Sequence, residues 1–125
     1  MATAIAGLQA TSSRTTASKA GIDNANTWRV YYTIPRGREI HVTHPDAIAI
    51  VMQSFFVEVK LMGDEYLATG HISNSFELGA TPGRAMKNYL ELLVDNLTWL
   101  EKHEAELSPS VHEDLRLLQS YLQIV

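Results

Sequence analysis

The sequence contains no cysteine among its 125 residues. This absence excludes disulfides, thiolate metal ligands and cysteine nucleophiles, and it is typical of a cytoplasmic protein. Long apolar runs are also missing, since no stretch approaches the roughly 20 apolar residues that a membrane-spanning helix needs. Basic residues number 10 against 14 acidic ones, which gives a formal net charge of −4. Because phosphate-backbone binding favours a basic protein, we do not expect direct nucleic-acid binding.

Motifs that carry catalysis or cofactor binding are equally scarce. The sequence has no glycine-rich phosphate loop, no nucleophile elbow and no His-Glu-x-x-His pattern. We therefore predict no catalytic residue and no cofactor, and we do not expect an enzyme. The hydrophobic content of 46% and the charged content of 19% are ordinary for a soluble globular protein of one domain.

Residues 1–26 differ in composition from the remainder of the chain. They are rich in Ala, Thr and Ser, and their only charged residues are Arg14, Lys19 and Asp23. We predict a flexible or partner-binding arm here, with an organellar targeting peptide as the alternative. Residues 27–125 are expected to form a single α+β domain.

The centre of that domain is predicted between Ser54 and His103. Apolar residues alternate with mostly polar ones from Phe55 to Leu61, which predicts a strand with one buried face. After a turn at Gly63, two further strands are expected at 66–70 and 75–78, forming an antiparallel meander.

A long helix should follow the meander. Thr81 is a suitable N-cap and Pro82 suits the first helical position. One helical stripe contains Met86, Tyr89, Leu90, Leu93, Leu97 and Leu100. Such a stripe is expected to face the sheet.

The order of these elements resembles the partial ribonuclease-H-like β-β-β-α module of HicB-type antitoxins, over about residues 54–103. In that family a Gly-x-Thr-x-x-Glu-Ala pattern opens the helix, and Gly79, Thr81 and Ala85 stand at the matching places here, with Arg84 in the place of Glu. The resemblance implies an antitoxin that neutralises a small ribonuclease toxin by direct binding.

The flanking segments predict further elements. Residues 28–34 and 39–43 are predicted to pair as an N-terminal hairpin around the turn Pro35–Arg38, giving a mainly antiparallel sheet together with the meander. Residues 47–53 are predicted as a short buried helix capped by Thr43, with a continuous strand over 47–62 as the alternative. A C-terminal helix is expected from about Pro109 to Tyr121, packed with the long helix on one face of the sheet.

One histidine cluster has the residue types of a metal site. His41, His44 and Asp46 could hold a divalent ion, with His71 as a further ligand if the strands are neighbours. The spacing argues against this, because His41 lies on a predicted strand while Asp46 is expected to cap a helix. We therefore predict no metal site and keep these residues as weak candidates of a minority hypothesis, a small metal-dependent enzyme.

Partner binding is the function that the sequence favours. Arg36 and Arg38 on the predicted turn suit an anionic contact, and Leu92, Trp99 and His103 lie away from the main apolar stripe of the long helix. Surplus apolar residues on both C-terminal helices also predict a homo-oligomer, a dimer or higher, or a bound partner. The alternative to an antitoxin is therefore a homo-oligomeric scaffold that shares only the fold.

Overall fold

Two antiparallel sheets and two helices make up the fold. A computed structural model of the chain describes residues 28–43 and 46–125. The strands are β1 (Arg29–Ile34), β2 (Glu39–Thr43), β3 (Asp46–Val51), β4 (Phe55–Met62), β5 (Glu65–Gly70), β6 (Ser73–Gly79) and β7 (Leu122–Ile124). The helices are α1 (Pro82–Lys102) and α2 (Pro109–Tyr121), and a 3-10 turn (Glu104–Glu106) lies between them. The predicted α+β class with antiparallel sheets is confirmed. The predicted arm at 1–26 lies outside the described residues.

The larger sheet has four strands in the order β1-β4-β5-β6. The meander β4-β5-β6 is the one that the alternation and the turn at Gly63 predict. On β4, Phe55, Val57 and Val59 are buried, whereas Phe56 points to the opposite face and is exposed. One face of this sheet therefore belongs to the core and the other is open.

The smaller sheet has three strands in the order β2-β3-β7. The turn after β1 forms as predicted, with Arg38 N–H donating to the Pro35 carbonyl and Gly37 at a φ of 92°. The strands on either side of this turn do not pair, however: β1 pairs with β4 and β2 pairs with β3. The expected N-terminal hairpin is therefore absent from the described residues. Alternation identifies a strand but does not identify its partner.

Two further predictions near this sheet differ from the structure. Residues 46–51 form strand β3 rather than a short helix, because pairing with β2 uses the backbone groups that a helix would satisfy internally. The alternative of one continuous strand over 47–62 is also wrong, since residues 52–54 interrupt it. Strand β7 was not predicted, and it pairs with β3 through Ala49, Ile50 and Val51.

Helix α1 joins the two sheets. Its N-cap is Thr81, whose Oγ1 accepts a hydrogen bond from Arg84 N–H at 3.1 Å, and Pro82 occupies its first turn. The apolar stripe is buried as predicted, except that Leu100 is half-buried. The helix contacts strands of both sheets, so this stripe forms the centre of the core.

Helix α2 packs beside α1 and ends at the smaller sheet. Ser108 is its N-cap, with its hydroxyl accepting from Val111 N–H at 3.4 Å, and Pro109 starts the helix as predicted. Leu115 and Leu118 are buried against the core. Tyr121 packs edge-on against Phe55, with ring centroids 5.9 Å apart, and so fixes the end of α2 near the start of β4.

The core contains one polar atom without a partner among the described residues. This atom is the hydroxyl oxygen of Tyr89, which is fully buried and neither donates nor accepts a hydrogen bond with any described residue. It sits against Gly70, where a Cβ would meet the hydroxyl oxygen at 2.6 Å. Burial raises the pKa of Tyr89 to about 12. The hydroxyl fits there because Gly70 has no side chain.

Candidate binding surfaces

The residues that carry the HicB-like pattern have structural roles at the start of α1. Gly79 lies so close to the helix that a Cβ would meet the backbone nitrogen of Ala85 at 2.4 Å. Ala85 itself is fully buried, and Thr81 caps the helix. These three residues therefore fit β6 tightly to α1, and they provide no chemical group for a site.

The candidate metal ligands do not form a site within the described residues. His41 is exposed on β2, and its Nε2 atom donates to Glu39 Oε1 at 3.1 Å. Asp46 begins β3 opposite Thr43, so its predicted role as a helix cap is wrong. Between 28–43 and 46–125, no group of three metal-ligating side chains comes together, and His44 lies outside these ranges.

A groove lies between the C-terminal half of α1, the helix α2 and the turn from β5 to β6. Its volume is about 380 Å³. It is lined by His71, Ile72, Ser73, Asn74, Ser75, Asn96, Trp99, Leu100, Val111, Asp114, Leu117 and Leu118. We call this feature the helix groove.

The walls of the helix groove are apolar and partly exposed. Trp99 on α1 is 55% exposed and Leu117 on α2 is 42% exposed. The Trp99 ring is stacked on His103, with centroids 4.1 Å apart and the planes within 20°. His103 Nδ1 in turn donates to the Trp99 backbone oxygen at 2.9 Å. This contact holds the indole in place and leaves its outer side accessible.

Part of the lining of the helix groove is polar. Asn96 Nδ2 donates to Ser75 Oγ at 3.2 Å, and Ser73 Oγ donates to Ser75 Oγ at 2.9 Å. At one end His71 packs edge-on against Tyr121 with centroids 5.6 Å apart. The groove thus combines hydroxyl and amide groups with apolar surface, which is the usual composition of a binding site.

The charge around the helix groove is negative. From Asn88 to Val125 the acidic residues are Glu91, Asp95, Glu101, Glu104, Glu106, Glu113 and Asp114, and the basic ones are Lys102 and Arg116. Asp114 lines the groove and forms no ion pair with the described residues. Burial, and secondly the charge of Glu91, raise the pKa of Asp95, one turn before Trp99. This part of the surface therefore attracts cations.

A second apolar surface is the open side of the four-stranded sheet. Its most exposed members are Phe56, Met62, Phe76 and Leu78. Phe56 is 56% exposed and Phe76 is 59% exposed. The strand register places all four on the face opposite α1. We call this surface the open sheet face.

Charged groups occupy the β1 side of the open sheet face. Tyr31 donates to Glu58 Oε2 at 3.0 Å. Arg29 Nε also lies 3.0 Å from Glu58 Oε2, an ion-pair distance, although its N–H is not directed for a hydrogen bond. Lys60 is the cross-strand partner of Arg29. The face therefore combines apolar side chains with charges of both signs.

The predicted partner-binding residues are distributed over the molecule. Trp99 lines the helix groove and His103 supports it, whereas Leu92 is half-buried on α1 outside the lining. Arg36 and Arg38 lie on the turn between β1 and β2, also outside the groove, and burial lowers the pKa of Arg38. The structure does not unite these residues in one site.

Sequence reasoning missed several residues of both surfaces. Asp114 was not recognised, because the groove is built from three segments distant in the sequence, whereas Leu117 was predicted only as surplus apolar surface of the C-terminal helix. Phe56 could have indicated the open sheet face from the sequence, because it is a large apolar residue at a position of β4 that alternation assigns to the polar face. Phe76 likewise alternates with the polar Ser75 and Glu77 on β6.

Neither α1 nor α2 is long and apolar enough to cross a membrane. The comparisons with protein-family models, with curated proteins and with solved structures find no match.

Proposed function

We propose that this chain is a non-catalytic protein-binding module, a HicB-like antitoxin that neutralises a small ribonuclease toxin by direct binding. The observation that carries the proposal is the open sheet face, where Phe56 and Phe76 each expose more than half of their surface. Exposed aromatic side chains that share one face favour burial against a partner. The β-β-β-α arrangement with Gly79, Thr81 and Ala85 at the start of α1 supports the HicB-like part of the proposal.

Charge supports a basic partner. A ribonuclease that binds the RNA backbone needs cationic side chains in its active site. The net charge of −4 is complementary to such a partner. An inhibitor of this kind needs no catalytic group, because covering the active site is sufficient.

The proposal is tested by affinity purification of the tagged full chain from its source cells, followed by mass determination of the intact complex. We expect a small basic protein in a fixed ratio, whose ribonuclease activity rises when the two proteins are separated. The variant Phe56→Ser/Phe76→Ser should lose this partner, whereas Val125→Ser, a matched change at an exposed apolar residue outside both surfaces, should retain it. Purification of the chain without any partner, in repeated preparations, would contradict the proposal.

A homo-oligomeric scaffold is the second candidate, and the mixed charge of the open sheet face favours it. Arg29, Glu58 and Lys60 lie beside the apolar residues, so two copies related by a twofold axis could pair opposite charges around an apolar centre. Light scattering during size-exclusion chromatography distinguishes the two functions. A stable dimer that Phe56→Ser/Phe76→Ser converts to monomer, without any second protein, would favour the scaffold.

A further inference from the structure

We infer that the helix groove binds a basic, extended peptide segment of the protein partner. In this arrangement an apolar side chain lies between Trp99 and Leu117, and a neighbouring Lys or Arg faces Asp114. The inference rests on the proposed protein-binding function and names the site and the chemistry of the bound segment.

The shape of the groove suits a short peptide. Its volume of about 380 Å³ is at the lower end of the range for ligand sites, enough for one or two side chains and their backbone. Trp99 and Leu117 stand on different helices, so a side chain between them contacts apolar surface from both directions. The stacked His103 keeps the indole in its position before binding, which reduces the entropy lost when a ligand binds.

The polar part of the groove lining suits a peptide backbone. Ser73, Ser75 and Asn96 carry hydroxyl and amide groups that both donate and accept hydrogen bonds. A peptide backbone presents donors and acceptors in alternation. Ser75 Oγ accepts from both Asn96 Nδ2 and Ser73 Oγ, which keeps these groups ordered. Among the described residues, the hydroxyl hydrogen of Ser75 and the side-chain carbonyl oxygen of Asn96 remain available to a ligand.

The charge of the groove selects a cationic segment. Asp114 has no ion-pair partner among the described residues, and residues 88–125 contain seven acidic side chains against two basic ones. A Lys or Arg side chain beside Trp99 would also contact the accessible side of the indole, a favourable cation–π arrangement. A phosphate backbone or a second copy of this acidic surface would instead be repelled.

The test uses two labelled peptides and the full chain. The first probe is acetyl-Arg-Leu-Arg-Leu-Arg-Leu-amide, and the second has Glu in place of each Arg. Fluorescence anisotropy at low and at physiological salt gives the dissociation constants. We expect binding of the Arg-Leu peptide that weakens with salt, and at least about tenfold weaker binding of the Glu-Leu peptide.

Matched variants locate the binding site. We expect Trp99→Ala and Leu117→Ser to weaken binding of the Arg-Leu peptide by about tenfold, and Asp114→Asn by about threefold to fivefold. The controls are Phe56→Ser, an exposed apolar residue of the open sheet face, and Glu104→Gln, an acidic residue outside the groove lining. Both controls should bind within about twofold of the unchanged chain, because they leave the groove intact. Far-UV circular dichroism checks the fold of each variant. If Trp99→Ala does not fold, the binding measurements on Leu117→Ser and on Asp114→Asn test the location of the site without it.

Two results would overturn the inference. Equal binding of the two peptides would show that charge does not select the ligand. Loss of binding in Phe56→Ser with normal binding in Leu117→Ser would place the peptide on the open sheet face.

The same variants separate this inference from the proposed function. A cellular partner that Leu117→Ser and Asp114→Asn retain but Phe56→Ser/Phe76→Ser loses would refute the groove and support the proposed function. Peptide binding in the groove together with repeated failure to find a cellular partner would support the groove and contradict the proposed function.

Discussion

The substitution Gly79→Ala tests how β6 is joined to α1. A Cβ at this position would lie 2.4 Å from Ala85 N, 2.7 Å from Ala85 Cα and 2.8 Å from Arg84 C. All three atoms belong to the helix backbone, so a side-chain rotation cannot relieve the contact. The first turn of α1 would have to move, although Ala85 is fully buried there.

The magnitude follows from two opposing effects. Overpacking in a close-packed interior costs about 1–3 kcal/mol, and a contact with backbone belongs at the upper end of that range. Replacing Gly by Ala also lowers the entropy of the unfolded chain, which stabilises by about 0.4–1 kcal/mol. We therefore expect Gly79→Ala to reduce the free energy of unfolding by about 2 kcal/mol.

Gly83→Ala is the matched control. Gly83 lies in the first turn of α1, and a Cβ there meets no atom within 4 Å. The same substitution should stabilise the protein by about 0.5 kcal/mol, because Ala has the higher helix propensity. Urea unfolding followed by circular dichroism measures both changes. The reasoning would be refuted if Gly79→Ala were as stable as the unchanged chain, or if both variants changed stability in the same direction.

Three further predictions concern α1 and the core. Thr81→Ala removes the cap hydrogen bond from Arg84 N–H and should lower the free energy of unfolding in urea by about 1 kcal/mol. Thr81→Ser should keep most of that stability, and equal stability of the two variants would exclude a role for the hydroxyl. Gly70→Ala should destabilise the protein, because its Cβ would lie 2.6 Å from the Tyr89 hydroxyl. In a double-mutant cycle, Tyr89→Phe should reduce that loss of stability, and additive effects of the two substitutions would contradict the contact. The raised pKa of Tyr89 favours its neutral form in the folded state, so its contribution to stability should be complete below pH 10 and should decline as the pH rises from 10 through about 12. Tyr89→Phe should make this alkaline loss smaller in unfolding curves measured from pH 9 to 12, and unchanged curves would disprove the assignment.

Local signals in the sequence predicted the helices and the meander. Thr81 with Pro82 and Ser108 with Pro109 mark both helix starts, because caps and first-turn prolines act within a few residues. The turn at Gly63 fixes the pairing of β4 with β5, since the two strands are joined directly. These predictions depend on neighbours along the chain, and the structure confirms them.

The parts that were not predicted depend on residues far apart in the sequence. Strands β1 and β2 follow one another across a tight turn, yet each pairs with a different later strand. The apolar run at 47–53 is compatible with helix or strand, and only the pairing of β3 with β2 and β7 decides it. The helix groove is assembled from α1, α2 and the start of β6, so the sequence indicated only parts of it. These parts are Trp99 and His103, one turn apart on α1, and the surplus apolar residues of α2.

The pairing of β7 with β3 has a consequence for the order of folding. Ala49 faces Ile124, and β4, β5, β6, α1 and α2 all lie between them along the chain. Such a contact closes a long loop, and the chain loses that entropy before the strand pair stabilises it. We therefore expect the three-stranded sheet to be completed after the meander and α1 have formed. By the same reasoning, amide hydrogens of β7 should exchange with solvent sooner than those of β4, because the strand that is added last is also the first to separate.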